Sequence, residues 1–196
     1  ARIGSTARHR RCQDGPVQAH QASLAGVLVF RPTPHHDDRG LFTRTFDLAA
    51  AGEHGLPEFI QDSQSRSRRG TVRGLHGRSG AGEAKLVRCA RGAVLDVLVD
   101  ARPESPTFGR HEAFRLDDVT FDNLYVPPGL LHGFQALTEQ ADVCYRIDRA
   151  HDPAQDLAVR YDDPELAIEW PLPVAAISQR DLTAGSWREL RHALTS

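Results

Sequence analysis

Arg73-Gly74-Leu75-His76, followed nine residues after the histidine by Lys85-Leu86-Val87-Arg88, decides the reading of this chain. Val72, Leu75, Leu86 and Val87 give both segments apolar neighbours. Between them Gly77 to Ala84 is rich in Gly, with Ser and Arg, which predicts a hairpin loop. Two antiparallel strands joined there place His76 and Lys85 close together on one face of one sheet. A histidine takes a proton near neutral pH, and a nearby ammonium stabilises an oxyanion or binds a phosphate. The pair suits proton abstraction beside a carbonyl. It equally suits two basic side chains facing solvent on an ordinary hairpin, and this stretch alone does not choose.

Working outward, the same strand-and-turn grammar continues. Gly92 to Asp100 is the clearest strand, and His111 to Leu116 alternates as a half-buried strand does. Asn123-Leu124-Tyr125-Val126 is closed by Pro127-Pro128-Gly129, and Gly133 to Leu137 and Ala141 to Ile147 follow as strands. Upstream, Gly26 to Phe30, Leu41 to Phe46 and Phe59 to Ser63 read as strands, and Ser65 to Gly70 as a basic turn. Asp47 to His54 predicts one short helix capped by Asp47 and stopped by Gly55, and Ser186 to Leu194 a second. Residues 162 to 173 are irregular. Many short strands between Gly/Pro turns indicate an all-β sandwich or barrel. Residues 1–22 read as an N-terminal tail, part of it foreign to the natural protein, and 23–196 as one domain.

Composition narrows the function classes. The 196 residues suffice for one well-cored domain. A net charge of −2 lacks the basic excess of a general nucleic-acid binder, so no nucleic-acid partner is expected. No apolar run approaches the roughly 18 residues of a membrane helix, so no membrane partner is expected either. Cys12, Cys89 and Cys144 are odd in number and widely spaced, which suggests neither a zinc site nor a disulfide framework. A cytoplasmic location is the default, and no secretory signal is expected.

Metal and nucleophile chemistry fare poorly. A metal-binding cupin uses a His-x-His pair with a carboxylate on one hairpin, and a further histidine after Pro-x-Gly-x-x. Pro127, Gly129 and His132 supply the second element, but Arg78 stands where the pair needs its second histidine. A guanidinium in a ligand position argues against a metal. There is no Gly-x-Ser-x-Gly elbow and no phosphate-loop or dinucleotide glycine pattern. No cofactor is expected, which leaves acid/base chemistry with anion-binding arginines.

The motifs then resemble one family. Asp38-Arg39-Gly40, Phe59-Ile60-Gln61-Asp62, Val72-Arg73-Gly74-Leu75-His76 and Lys85-Leu86-Val87-Arg88 occur in order. Asp96 to Asp100, Ser105-Pro106-Thr107-Phe108-Gly109, Tyr125-Val126-Pro127, His132-Gly133-Phe134 and Tyr145 follow. Asp162-Asp163-Pro164, Ile168-Glu169-Trp170-Pro171 and Ser178-Gln179-Arg180-Asp181 complete the set. Together they resemble the dTDP-4-dehydrorhamnose 3,5-epimerase family, metal-free cupins of deoxysugar nucleotide pathways. The resemblance implies a cupin-type antiparallel β-sandwich (jelly roll) over 23–196, a homodimer, and a dTDP-linked 4-keto sugar as the molecule bound. It implies His76 as base, Asp181 as the carboxylate holding that histidine, Tyr145 as the acid on the opposite face of the sugar, and Lys85 near the C4 oxygen. It implies His132 as a second pocket histidine, with Arg39, Gln61, Asp62, Ser63 and Arg73 at nucleotide-binding positions.

This chemistry agrees with the residue types. C3 and C5 of a 4-keto sugar both adjoin the ketone, so loss of either proton gives an enolate that an ammonium stabilises. Inversion needs a proton donor on the face opposite the base, which a tyrosine hydroxyl provides. Taken singly, the same residues have plainer readings: Tyr145 as a core aromatic, His132 as a turn histidine, Asp181 as a helix cap, Arg39 as a turn arginine. The chain also departs from the family. Ser63 replaces an Asn, Gly77 and Arg78 replace an aromatic and a Gln, Arg44 replaces a Glu, and His151 and His35 replace aromatics near the base. Asp156 and Arg180 keep the charge of the family's acid and lysine. The expectation is therefore epimerisation at C3, C5 or both. The alternatives are another nucleotide or 4-keto sugar, or a non-catalytic sugar-nucleotide binder.

Overall fold

A computed structural model describes residues 17–196. The first half contains β1 (Gln18–Gln21), β2 (Leu28–Arg31), β3 (His35–Asp37), β4 (Gly40–Phe42), α1 (Leu48–Glu53), β5 (Gln61–Arg68), β6 (Val72–Arg78), β7 (Lys85–Arg91) and β8 (Ala93–Asp100). The second contains β9 (His111–Asp117), β10 (Asn123–Val126), β11 (Leu130–Ala136), β12 (Gln140–Ile147), β13 (Asp156–Ala158), α2 (Gln179–Leu182) and α3 (Trp187–Thr195). Two antiparallel sheets pack face to face as a cupin-type β-sandwich. One has the order β1-β2-β10-β7-β12-β5, the other β13-β6-β11-β8-β9, and β3-β4 form a separate ribbon.

Alternation along the strands builds the core. Val87, Cys89, Leu124, Val126 and Val143 of the first sheet meet Val94, Leu98, Leu130, Phe134 and Ala136 of the second. A second apolar cluster, Leu75, Val99, Leu131, Val159, Leu166 and Trp187, seals the outer face of the five-stranded sheet beneath the C-terminal segment. Asp163 holds that segment down by accepting from the backbone N–H of Trp187 at 2.9 Å. Cys89 and Cys144 are buried free thiols, and burial pushes Cys89 up to about 12, as small core residues require. Asp47 caps α1 by accepting from Ala49 and Ala50, as its sequence signal predicts.

The central hairpin is not one. β6 and β7 belong to opposite sheets, so the Gly-rich loop crosses the sandwich instead of turning within one sheet. Each strand satisfies its backbone elsewhere: β6 lies between β13 and β11, and β7 between β10 and β12. Sequence proximity favoured the local pairing, but tertiary pairing overrode it. Two further expectations change. Ser65 to Arg68 continue β5, paired with Gln140 to Val143, so only the last residues before Thr71 turn. The expected arm is shorter at its described end, because Gln18–Gln21 pair with Leu28–Arg31. Residues 1–16, with Cys12 and the cluster Arg8-His9-Arg10-Arg11, lie outside the described residues.

β6 contains the irregularity that builds the site. His132 opposes His76 and Phe134 opposes Arg73, so a three-residue step on β6 faces a two-residue step on β11. In a regular strand residues 73 and 76 point to opposite faces. The bulge restores their parity, and both line the interior. Gly74 sits at its centre with φ 121, and a Cβ there would stand 2.5 Å from Gly133 Cα and 2.8 Å from His132 O. Glycine is what allows the two backbones to approach so closely.

Candidate active site

The interior faces of the sheets diverge at one end into a cleft with two connected lobes. The larger, about 540 Å³, is bounded by Ser65, Arg73, His76, His132, Tyr145 and residues 176–181. The smaller, about 230 Å³, is bounded by Gln61, Arg78, Glu83, His151, Asp156 and Arg180. His76, Lys85, Tyr145 and Arg180 border both. The larger lobe alone has the volume of a small-molecule site, about 300–1,000 Å³.

His76 projects from β6 and Asp181 from α2, where Ser178 caps the short helix by accepting from the Asp181 N–H. Asp181 is therefore not the cap; its side chain turns inward instead. His76 Nε2 lies 2.6 Å from Asp181 Oδ1, and the other carboxylate oxygen accepts from the Gly74 N–H at 3.3 Å. Asp181 is buried while the imidazole remains 39% exposed, enough to meet a ligand. With Nε2–H donated to the carboxylate, Nδ1 is the nitrogen left to accept a proton.

Tyr145 comes from the facing sheet. Its hydroxyl lies 2.8 Å from Ser65 Oγ on the adjacent strand. Burial pushes the Tyr145 hydroxyl well above the usual tyrosine range, and the bond to Ser65 only partly offsets this. It is a neutral O–H at physiological pH, which a proton donor must be. His132 opposes His76 across the β6–β11 ladder and packs edge-on to the Tyr145 ring at 6.2 Å between centroids. Asp96 anchors it at 2.8 Å, so it is not a turn histidine. Lys85 opens β7 two residues from the position opposite Tyr145, because Val87 pairs with Tyr145 and Lys85 with Ile147. It therefore belongs to the tyrosine's sheet, not to that of His76. The two meet across the cleft.

The remaining expected residues divide. Arg73 lines the larger lobe and donates from Nε to Ser67 Oγ at 3.0 Å. Gln61 borders the smaller lobe; Asp62 points to the outer face, 3.3 Å from Arg146, and Ser63 reaches neither lobe. His151, Asp156 and Arg180 come together there. Arg180 donates to Asp156 at 2.8 Å, and His151 Nδ1 lies 4.0 Å from the same carboxylate. Burial alone would push Asp156 up, but the bonded Arg180 outweighs it and holds the acid below its usual range. Arg39 is elsewhere: it lies on the β3–β4 ribbon, 90% exposed, and pairs with Asp37. Arg44 pairs with Asp47 beside α1, also outside the cleft.

Three participants are given no role by the motifs, although Asp96 lies within one of them. Ser65 lies in what reads as a turn, although its parity with Gln61 along an extended strand would have aimed it inward. Asp96 carried a signal, a lone acid within Val94 to Val99. Glu83 sits in the Gly-rich loop with no pattern to mark it. Among the described residues no three His, Cys, Asp or Glu side chains converge as a metal site would, and no helix is long and apolar enough to cross a membrane.

Known proteins are similar to this chain in sequence and in fold. The sequence model of the family described as dTDP-4-dehydrorhamnose 3,5-epimerase matches residues 21–189. The chain is 38% identical to the dTDP-4-dehydrorhamnose 3,5-epimerase of Methanothermobacter thermautotrophicus, covering 87% of this chain and 93% of that one. It is 41% identical to the dTDP-4-dehydrorhamnose 3-epimerase of Streptomyces niveus, over 87% and 84%. The crystal structure of a dTDP-6-deoxy-D-glucose-3,5-epimerase from Legionella pneumophila, in complex with dTDP-4-keto-L-rhamnose, superposes with a TM-score of 0.84. The identity is 33%, over 89% of this chain and 97% of that one.

Proposed function

This chain belongs to the dTDP-4-dehydrorhamnose 3,5-epimerase family, and from that premise we propose that it epimerises a dTDP-linked 4-keto-6-deoxyhexose next to its ketone. The observation that carries this reading is the placement of His76–Asp181 and Tyr145–Ser65 on facing sheets across one cleft. His76 removes the proton from C3 or C5 while Asp181 holds its tautomer and stabilises the imidazolium. The charge moves onto the C4 oxygen, where Lys85 offers an ammonium. Tyr145 returns a proton to the opposite face, and the centre inverts. His132, Arg73, Gln61, His151, Asp156 and Arg180 bind the sugar nucleotide around this axis. A non-catalytic binder would have no use for a carboxylate-held histidine facing a buried neutral phenol.

We further infer a cytoplasmic homodimer. Arg39 is assigned to the nucleotide yet lies outside the cleft, on a ribbon that also exposes Leu41 and Phe42. A second copy whose cleft receives this ribbon reconciles the expected role with the observed position. Free thiols at Cys89 and Cys144 suit a reducing compartment.

The test is incubation with dTDP-4-keto-6-deoxyglucose in deuterium oxide, followed by proton NMR. Deuterium entering C3, C5 or both identifies the centres on which the enzyme acts. Tight binding without exchange at either carbon would overturn the reading. Light scattering at the monomer mass would overturn the dimer.

A further inference from the structure

Arg78 stands where the family carries a Gln, and it places an extra cation at the edge of the cleft. Its side chain is only 5% exposed, so the charge needs partners. Nη1 donates to the Ala150 carbonyl at 2.7 Å, and Nη2 lies 3.0 Å from His151 Nδ1. The countercharge is Glu83, whose Oε2 lies 3.0 Å from Nη2. A carboxylate beside a guanidinium usually grips it with both oxygens. Glu83 does not. Its other oxygen, Oε1, lies 3.0 Å from Lys85 Nζ, and Arg78 Nε and Glu83 Oε2 are both buried without a hydrogen-bond partner, so the contact with Arg78 is one of charge. The carboxylate is shared between two cations at the expense of the fork.

We propose that Glu83 is a positioning residue that aims the Lys85 ammonium at the C4 oxygen, and that Arg78 neutralises Glu83 so that the field of the ammonium is not cancelled at the enolate. This rests on the role given to Lys85 above. A lysine stem has four rotatable bonds, and an ammonium stabilises a developing oxyanion only when it is already in place. Glu83 holds the ammonium by charge at 3.0 Å, and its three N–H donors remain for the cleft. A carboxylate alone beside Lys85 would cancel its field; with Arg78 included, the trio carries one net positive charge.

The arrangement has a distinctive signature in kcat. Glu83→Gln leaves two cations crowded around a neutral amide; Arg78→Gln leaves Lys85 paired to an uncompensated carboxylate. Each should lower kcat about tenfold or more, less than the 10²–10³ typical of deleting an oxyanion donor outright. KM should stay within about threefold in Glu83→Gln, because Glu83 pairs with none of the residues assigned to the sugar nucleotide; Arg78→Gln also releases His151 and should raise KM as well as lower kcat. The double variant Arg78→Gln/Glu83→Gln keeps an acceptor for Lys85 and restores the net charge, so its kcat should recover most of the loss; it also covers the case in which a single variant fails to fold. In a Lys85→Ala background, Glu83→Gln should add less than about twofold, because residues acting through one group are not additive. The proposal falls if Glu83→Gln keeps wild-type kcat, if it lowers kcat by the same factor with Lys85 absent, or if the double variant is as impaired as the worse single variant. Lys85→Ala with full activity would instead overturn the role of Lys85 itself, and a normal Glu83→Gln beside an impaired Lys85→Ala would overturn this proposal alone.

Discussion

Gly74→Ala tests whether the bulge in β6 holds the site together. The new Cβ would lie 2.5 Å from Gly133 Cα and 2.8 Å from His132 O, both backbone atoms of the paired strand. Neither can rotate away, so β6 and β11 must part by several tenths of an ångström. Overpacking of this kind costs about 1–3 kcal/mol. The φ of 121 adds a backbone penalty of about 1–3 kcal/mol for any residue with a Cβ. Gly40→Ala separates the two effects, because Gly40 has φ 127 and nothing within 4 Å of its added Cβ. The steric part, about 2 kcal/mol, should place the melting temperature of Gly74→Ala about 4–8 °C below that of Gly40→Ala, the scale for a chain of this size. Differential scanning calorimetry reads that difference. Deuterium exchange at the sugar, measured well below both transitions, should fall about 10²-fold in Gly74→Ala, since the shift moves His76 and Arg73 and removes the Gly74 N–H from Asp181. Equal melting temperatures for the two variants, or wild-type exchange in Gly74→Ala, would refute the reasoning.

Tyr145→Phe keeps the ring against His132 but removes the donor. Inversion, followed by NMR of the product, should fall by about 10²-fold or more while exchange of label at the abstracted carbon persists. Full inversion would remove tyrosine as the acid. Asp181→Asn presents an amide to His76 Nε2 and loses the anion that stabilises the imidazolium, so exchange should drop about 10²–10⁴-fold with the fold intact by circular dichroism. An unchanged rate would show that His76 is held by other means. Asp100 governs acid stability. Burial raises its pKa, but bonds from Arg102, Ser105 and Thr107 more than reverse this and hold it at about 2, against an ordinary 3.8. A lowered folded value means stability that is complete above the unfolded pKa and is lost as pH falls from about 4 to about 2. The contribution is about 2 kcal/mol. Denaturant titrations of the wild type and Asp100→Asn should therefore differ at pH 7 and converge at pH 2; a gap that persists at pH 2 would assign the effect to packing.

The fold class was readable because alternation and Gly/Pro punctuation are local, and β7, β8, β9, β10 and β12 fall close to where those signals place them. Pairing partners are not local. Lys85 was assigned to the same sheet as His76 because a Gly-rich loop joins them, whereas the strands on which each depends for hydrogen bonds, β12 and β11, lie more than 50 residues downstream. The inward parity of both Arg73 and His76 was hidden for a related reason: an interior glycine marks a possible bulge, but only the facing strand fixes where the extra residue sits. The residues proposed to react were legible through their motifs. The orienting roles of Ser65 and Asp96 were not, since orientation depends on neighbours brought in by tertiary structure.

Because His76 and Tyr145 stand on different sheets, the distance between them is a property of the hydrophobic interior. The side chains that separate the sheets, Val87, Val94, Leu98 and Val143 among them, act as spacers for a proposed reaction none of them touches. A lineage adapting this scaffold to a sugar with a bulkier substituent need not alter a single reacting group; it can widen the gap by changing the volume of the layer beneath. Directed evolution for altered sugar acceptance has the same route open, with its useful positions in the core and its penalty in thermal stability.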